Sequence, residues 1–220
     1  MDLLAQAWES FEGNDYAGAE MSFLKLLNSP DSSAEQQRQA SYGLGYVFAF
    51  SGRFDQAREI FENFYRDATA NNDVRAAHRA IHQIGMVERM AGNWLTARMR
   101  FESEYEMIQQ LERDDLAVAI NSYEQGLVAL HLNELEVSKS WFDRSLTSSL
   151  RCGDRIAVAC AYRGLGDWHQ RRGDLDAAAQ SWNSSRSAFL EASDTKGAEE
   201  IDERLVDIAK PTAPLLSGQL

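Results

Sequence analysis

Apolar side chains recur at three- and four-residue spacing along most of the chain. SAEQQRQASYGLGYVFAFS, FDQAREIFENFYRDATA, DVRAAHRAIHQIGMVERMA and LEVSKSWFDRSLTSSL all show it. That spacing gathers them on one face of an α-helix, and no run of strict alternation signals a competing strand. The stretches between are short and polar: NSPDSS near Pro30, then NND, RDD, CGD and SDT, ending at Asp73, Asp115, Asp154 and Thr195. Aspartate at such a step caps the helix that follows and suits its positive end. The pattern predicts ten paired helices and an eleventh over about Thr195–Ala209, its stripe being ERLVDIA. Pro211 and Pro214 then end the helical pattern, so residues 211–220 are expected to be a mobile tail behind a single domain over 1–210.

The pairs repeat. One phrase occurs five times, as NDYAGA from Asn14, GRFDQA from Gly52, GNWLTA from Gly92, NELEVS from Asn133 and GDLDAA from Gly173, with intervals of 38, 40, 41 and 40 residues. Two positions after each start is a bulky side chain (Tyr16, Phe54, Trp94, Leu135, Leu175), and five after it a small one (Ala19, Ala57, Ala97, Ser138, Ala178). Nine after it is an aromatic ring: Phe23, Phe61, Phe101, Phe142, Trp182. Seven before it the column is Ala7, Gly45, Gly85, Gly126 and Gly166. The start is a turn residue able to leave a helix through the left-handed region. Glycine inside a helix costs about 1 kcal/mol against alanine, so four at one register imply a close approach that offsets the cost. A fixed period of this length marks a stacked solenoid.

The order small residue, turn, aromatic, alanine, aromatic resembles the tetratricopeptide repeat. YGLGYVFAFSGRFDQAREIF and YRGLGDWHQRRGDLDAAAQSW are the best copies, and the likeness runs from about Leu3 to Ala209. Ala7, Asn14, Asn133 and Ser138 depart from the family's residues in the first and fourth copies. The period exceeds the family's usual 34 residues, which is similar to the long-repeat subclass of kinesin light chain, spindle adaptors and bacterial peptide-sensing regulators. The resemblance implies an all-α, right-handed α-α superhelical solenoid of five helix-turn-helix repeats plus a C-terminal capping helix. The first helix of each pair would line a concave groove, and the second would form the back.

Composition narrows the function. Lysine and arginine number 22 against 34 acidic residues, a formal net charge of −12, so the overall field repels nucleic acid and anionic membranes. No window approaches the length of a membrane span. MDLLAQAWESFEGND offers neither the basic nor the apolar region of a secretion signal. Cys152 and Cys160 stand eight apart without other metal ligands and read as two reduced thiols. A cytoplasmic location is the expectation. Phosphate-loop, metalloprotease, hydrolase-elbow and kinase phrases are all missing, so neither catalysis nor a cofactor is expected. His78 and His82 share a helical face, but without a third ligand at a matching register they read as solvated or groove-lining rather than as a metal site.

Carrying the family's concave positions onto this chain implies a peptide-binding face. The first copy contributes Trp8 and Phe11, and the second Tyr42, Tyr46 and Phe50. The third contributes Arg79, His82, Met86 and Arg89 with Met90, and the fourth Tyr123 and His131 with Leu127 and Leu130. The fifth contributes Arg163 and Arg171 with Asp167 and Gln170. Four arginines on one face of an acidic protein suit carboxylates, which the guanidinium fork grips at two points. The expected function is a non-catalytic scaffold or adaptor for a protein or peptide segment, acidic by this reading. The alternative is a regulatory sensor of a small signalling peptide acting through a partner chain or through self-association, since homo-oligomers are left open.

Overall fold

The structure, a computed structural model, describes residues 2–209. Among them are eleven α-helices and no strand: α1 (Leu3–Glu12), α2 (Tyr16–Asn28), α3 (Ala34–Phe50), α4 (Phe54–Ala70), α5 (Val74–Met90), α6 (Trp94–Ile108), α7 (Asp115–His131), α8 (Leu135–Cys152), α9 (Arg155–Arg171), α10 (Leu175–Glu191) and α11 (Thr195–Ala209). The expected tail over 211–220 lies outside the described residues.

Helix starts follow the polar steps. Side chains of Asp2, Asp15, Asp73, Asp114, Asp154 and Asp174 each accept a backbone N–H of the first turn, and Ser33 with Gln36 forms a reciprocal capping box. At the fourth copy the cap is Asp114, and Asp115 is already helical. All five phrase starts lie at positive φ: Asn14 at 63°, Gly52 at 77°, Gly92 at 80°, Asn133 at 61° and Gly173 at 80°. Each turns the chain back between the two helices of a pair.

The glycine column then meets the ring column. A Cβ on Gly126 would stand 2.5 Å from Phe142, and one on Gly45 or Gly85 would stand 2.6 Å from Phe61 or Phe101. Gly166 is pressed against Trp182 in the same way. A residue seven before the turn touches one nine after it, so the paired helices are antiparallel. Phe23, Phe61, Phe101, Phe142 and Trp182 are all essentially inaccessible to water. A second small column reaches across to the preceding pair: Gly43 faces Phe23, and Gly164 faces Phe142.

The helices gather into two compact units, Met1–Arg113 with α1–α6 and Asp114–Leu220 with α7–α11. In repeat arrays each element packs on its neighbours, so compact units can divide at a step between repeats even where the sequence period runs on. The first unit's core holds Phe23, Leu44, Val47, Phe61, Ile84 and Val87. In the second, Trp182, Phe189 and Ile201 form one cluster, and Phe142, Leu165 and Trp168 another.

Ion pairs tie the first unit across helices. Arg53 holds Glu20 through two hydrogen bonds of 2.9 and 2.6 Å, and Arg58 donates to Glu88 at 2.6 Å. Hydrogen bonding by Arg53 lowers the Glu20 carboxyl below the ordinary glutamate value of 4.5. At Glu88, burial pushes upward, but the bonds from Arg58 and Asn93 prevail and the net shift is down. A carboxyl lowered on folding stabilises above its unfolded value and loses that contribution as pH falls through the folded value. Stability should therefore decline as pH drops below about 4.5. Asp167 opposes this, because burial raises its carboxyl despite Arg204 and Trp182. Thermal melts at pH 6 and pH 3.5 should show a fall that Glu20→Gln and Glu88→Gln each diminish; unchanged falls would remove these pairs from the account.

Candidate binding face

The first helices of the three pairs in unit one are α1, α3 and α5, and they carry one continuous surface. Trp8 and Phe11 are three residues apart on α1, while Tyr42, Tyr46 and Phe50 are spaced by four on α3. Each stripe therefore lies on one face of its own helix. Phe11 lies 6.0 Å from Tyr46 and 5.4 Å from Phe50, and Tyr42 lies 5.4 Å from Tyr46. The rings are anchored behind: Trp8 meets Phe23 edge-on at 5.2 Å, and Tyr42 meets Phe61 and Phe64 at 5.2 and 5.1 Å. Each ring except Phe50 is half-buried, whereas Phe50 is 48% exposed. The cluster is thus core on one side and surface on the other.

Helix α5 continues the surface. Burial raises the Tyr42 hydroxyl well above the usual tyrosine range, with Tyr46 adding to the shift and Arg79 and Gln83 of α5 offsetting part of it. Burial raises Tyr46 as well. The pair therefore offers neutral hydroxyls. Arg79 is exposed, its Nε donating to the Arg75 carbonyl, and Arg89 donates to Met86 Sδ at 3.5 Å. The single acid of α5, Glu88, is buried under Arg58. The solvent side of α5 consequently bears arginine and methionine without a carboxylate of its own.

One histidine of α5 departs from its expected setting. His78 is buried and His82 nearly so, because both turn inward to Glu104 of α6. His78 is therefore not a solvated residue, while His82 keeps a small exposed part. Glu104 stands twelve residues after the phrase start Gly92, and the same register carries Ser145 and Ser185, whose hydroxyls donate to the Ala119 and Ala159 carbonyls at 2.8 Å. The register is polar in the last three copies only, because the first two carry Leu26 and Phe64 there.

In the second unit the predicted residues are largely committed to one another. Tyr123 is buried, and Arg163 donates to its hydroxyl through Nε at 3.0 Å and Nη2 at 2.7 Å. Nη1 of Arg163 reaches Glu200 at 2.7 Å, and Arg204 bridges Glu200 and Asp167. Trp182 also donates to Asp167, at 3.0 Å. The network fastens α11 onto α9. His131 and Arg171 remain exposed at the turn end, with Arg171 touching the Leu130 carbonyl at 3.4 Å. Among the described residues no cluster of three His, Cys, Asp or Glu is arranged to hold a metal, and no helix is long and apolar enough to cross a membrane.

No family model and no curated protein matches the chain. Solved structures do. BtubC (BKLC) from P. vanneervenii superposes with a TM-score of 0.61 at 14% identity, covering 97% of this chain and 83% of its own. The APC/C hetero-tetramer Cut9–Hcn1 contains a chain with a TM-score of 0.57 at 19% identity over 96% of this chain, which spans only 40% of that one. MamA is similar at 0.47 and 16% identity, covering 96% of each chain. At these identities the likeness is one of fold.

Proposed function

We infer that this chain, whose fold is the tetratricopeptide-repeat solenoid, is a non-catalytic scaffold that holds a peptide segment of another protein against the α1–α3–α5 face of its first unit. The observation that carries the reading is that face's composition. Half-buried rings end in the exposed Phe50 and run into an α5 surface of arginine and methionine whose only acid is buried. Rings with one side packed and one side open are preorganised anchors, losing little conformational freedom on binding. Arginine supplies a fork for carboxylates. The ligand is therefore a peptide pairing an apolar or aromatic anchor with Asp, Glu or a free C-terminal carboxylate. Support of a general kind comes from the similarly folded chain found within the Cut9–Hcn1 hetero-tetramer.

Trp8, Phe11, Tyr42, Tyr46, Phe50, Arg79, Met86 and Arg89 make up the proposed contact surface of the first unit; in the second unit, His131 and Arg171 are the proposed contact residues. His82 serves the first unit's face from behind by joining α5 to α6, and Tyr123 and Arg163 join α7, α9 and α11 within the second unit. A reducing cytoplasm suits the two free thiols, and burial raises the Cys160 thiol out of the reactive range.

An acidic peptide library titrated against wild type and Arg89→Glu tests the reading. The variant should lose about 2–4 kcal/mol of affinity, through a lost charge-assisted pair and a new repulsion, while melting within a degree or so of wild type. Wild-type binding should weaken with added salt. Equal affinities, or a preference for basic peptides, would reject the arginine half of the face.

A further inference from the structure

The second unit carries an apolar edge at registers that are polar in the first. Seventeen positions before the phrase start stand Leu116 and Ile156 in the fourth and fifth copies, and seventeen after it stand Leu150 and Leu190. In the earlier copies the same registers hold Glu35 and Arg75 before the start, and Asp31, Thr69 and Gln109 after it. Stacking of the repeat therefore does not call for an apolar residue at either position. Leu116 is 37% exposed, Ile156 49%, Leu150 57% and Leu190 46%, and Ile120, one turn from Leu116 on the same face of α7, is 40% exposed.

These side chains gather at one end of the unit, where α7 and α9 begin and α8 and α10 finish. There Arg151 of α8 meets Asp115 of α7 at 2.8 Å, and Arg155 of α9 meets Glu191 of α10 at 3.2 Å. Each charged residue is the sequence neighbour of an apolar one, so the ion pairs fix Leu150 beside the start of α7 and Leu190 beside the start of α9. The signs alternate across the edge, because α7 packs on α8 and α9, and α9 packs on α10. A two-fold axis along the midline of such a checkerboard sets each arginine of one molecule against a carboxylate of the other. The net charge of −12 repels a second molecule over most of the surface, but these four side chains sum to zero. Arg151, Arg155 and Glu191 are more than half exposed, and exposed pairs of this kind cost little to exchange.

We propose that this edge is a self-association surface through which two molecules of the chain meet about a two-fold axis, the five apolar side chains at the centre of the contact and the four charges at its rim. A specific dimer needs about 800 Å² from each partner, apolar at the centre and polar at the rim, which is the composition found here. The contact uses none of the residues proposed for peptide binding.

Sedimentation velocity of the full chain from about 1 to 200 µM tests this. Wild type should pass reversibly from monomer to dimer with a Kd of about 10 µM. Leu150→Glu and Leu190→Glu each place a carboxylate in the contact at an exposed position and should weaken dimerisation by about tenfold or more. Met99→Glu adds the same charge at a side chain 65% exposed on α6 of the first unit, and should leave the dimer as it is. A chain monomeric throughout the range, whether because another protein or nothing at all covers the edge, overturns the proposal. So does a dimer that the two leucine variants leave intact, or one that Met99→Glu dissolves equally. Circular-dichroism melts check folding: if one leucine variant melts early the other decides, and Arg155→Glu, which sets acid against acid across the axis, decides if both do.

Discussion

Gly126→Leu should destabilise the second unit by about 3 kcal/mol or more, the upper part of the range for overpacking a filled core. The substituent's first carbon alone would stand 2.5 Å from Phe142 Cε1, and that ring has nowhere to go because Gly164 presses on it too. Leucine also removes a glycine from a helix interior, which by propensity should gain about 1 kcal/mol. The steric term outweighs that gain. Gly92→Leu supplies the contrast: nothing lies within 4 Å of its would-be Cβ, and its φ of 80° is the sole obstacle. Its cost should stay near 1–2 kcal/mol. Denaturant melts of the two variants should rank them in that order, and a harmless Gly126→Leu would mean the ring is free to move.

Arg58→Met should cost about 3 kcal/mol, for a different reason. Methionine preserves most of the aliphatic stem, so packing is largely kept, but Glu88 would remain buried with the Asn93 hydrogen bond and the more distant charge of Arg100 in place of its direct ion pair. Breaking one side of a buried pair leaves an uncompensated charge, whereas replacing both sides with apolar groups is often neutral. The double variant Arg58→Met/Glu88→Met should therefore recover most of the loss. A double-mutant cycle with no coupling between the sites would show that solvent reaches Glu88 without help.

The features legible in the sequence are those fixed by register. Asn14, Gly52, Gly92, Asn133 and Gly173 recur at one phase of the period, and all five take the left-handed conformation, because every pair needs the same turn. The four glycines and the rings likewise announce a contact before any coordinates exist, since a helix interior tolerates repeated glycine only where something presses on it. Partner choice was not legible. A helical stripe shows that Arg163 and Tyr123 occupy the same face, but not that a guanidinium will close the distance across forty residues and also catch Glu200. The burial of His78 was not legible for a related reason. Its spacing from His82 defines a face without saying which side of α5 is covered, and only Glu104, at the buried register shared with Ser145 and Ser185, gives the side.

The ring of Phe142 is floored by Gly126 of its own pair and roofed by Gly164 of the next, and Phe23 meets Gly43 of the following pair in the same manner. At that register α5 carries Gln83 instead, so the roof over Phe61 is built differently. In a nearest-neighbour description of repeat stability, each pair has an intrinsic term and each junction a coupling term. A ring shared between two glycines moves free energy from the first kind of term to the second. The α7–α8 pair is then a weak folding unit by itself and a strong one beside α9, and the array's cooperativity is distributed unevenly, concentrated at the junctions that glycine lets close.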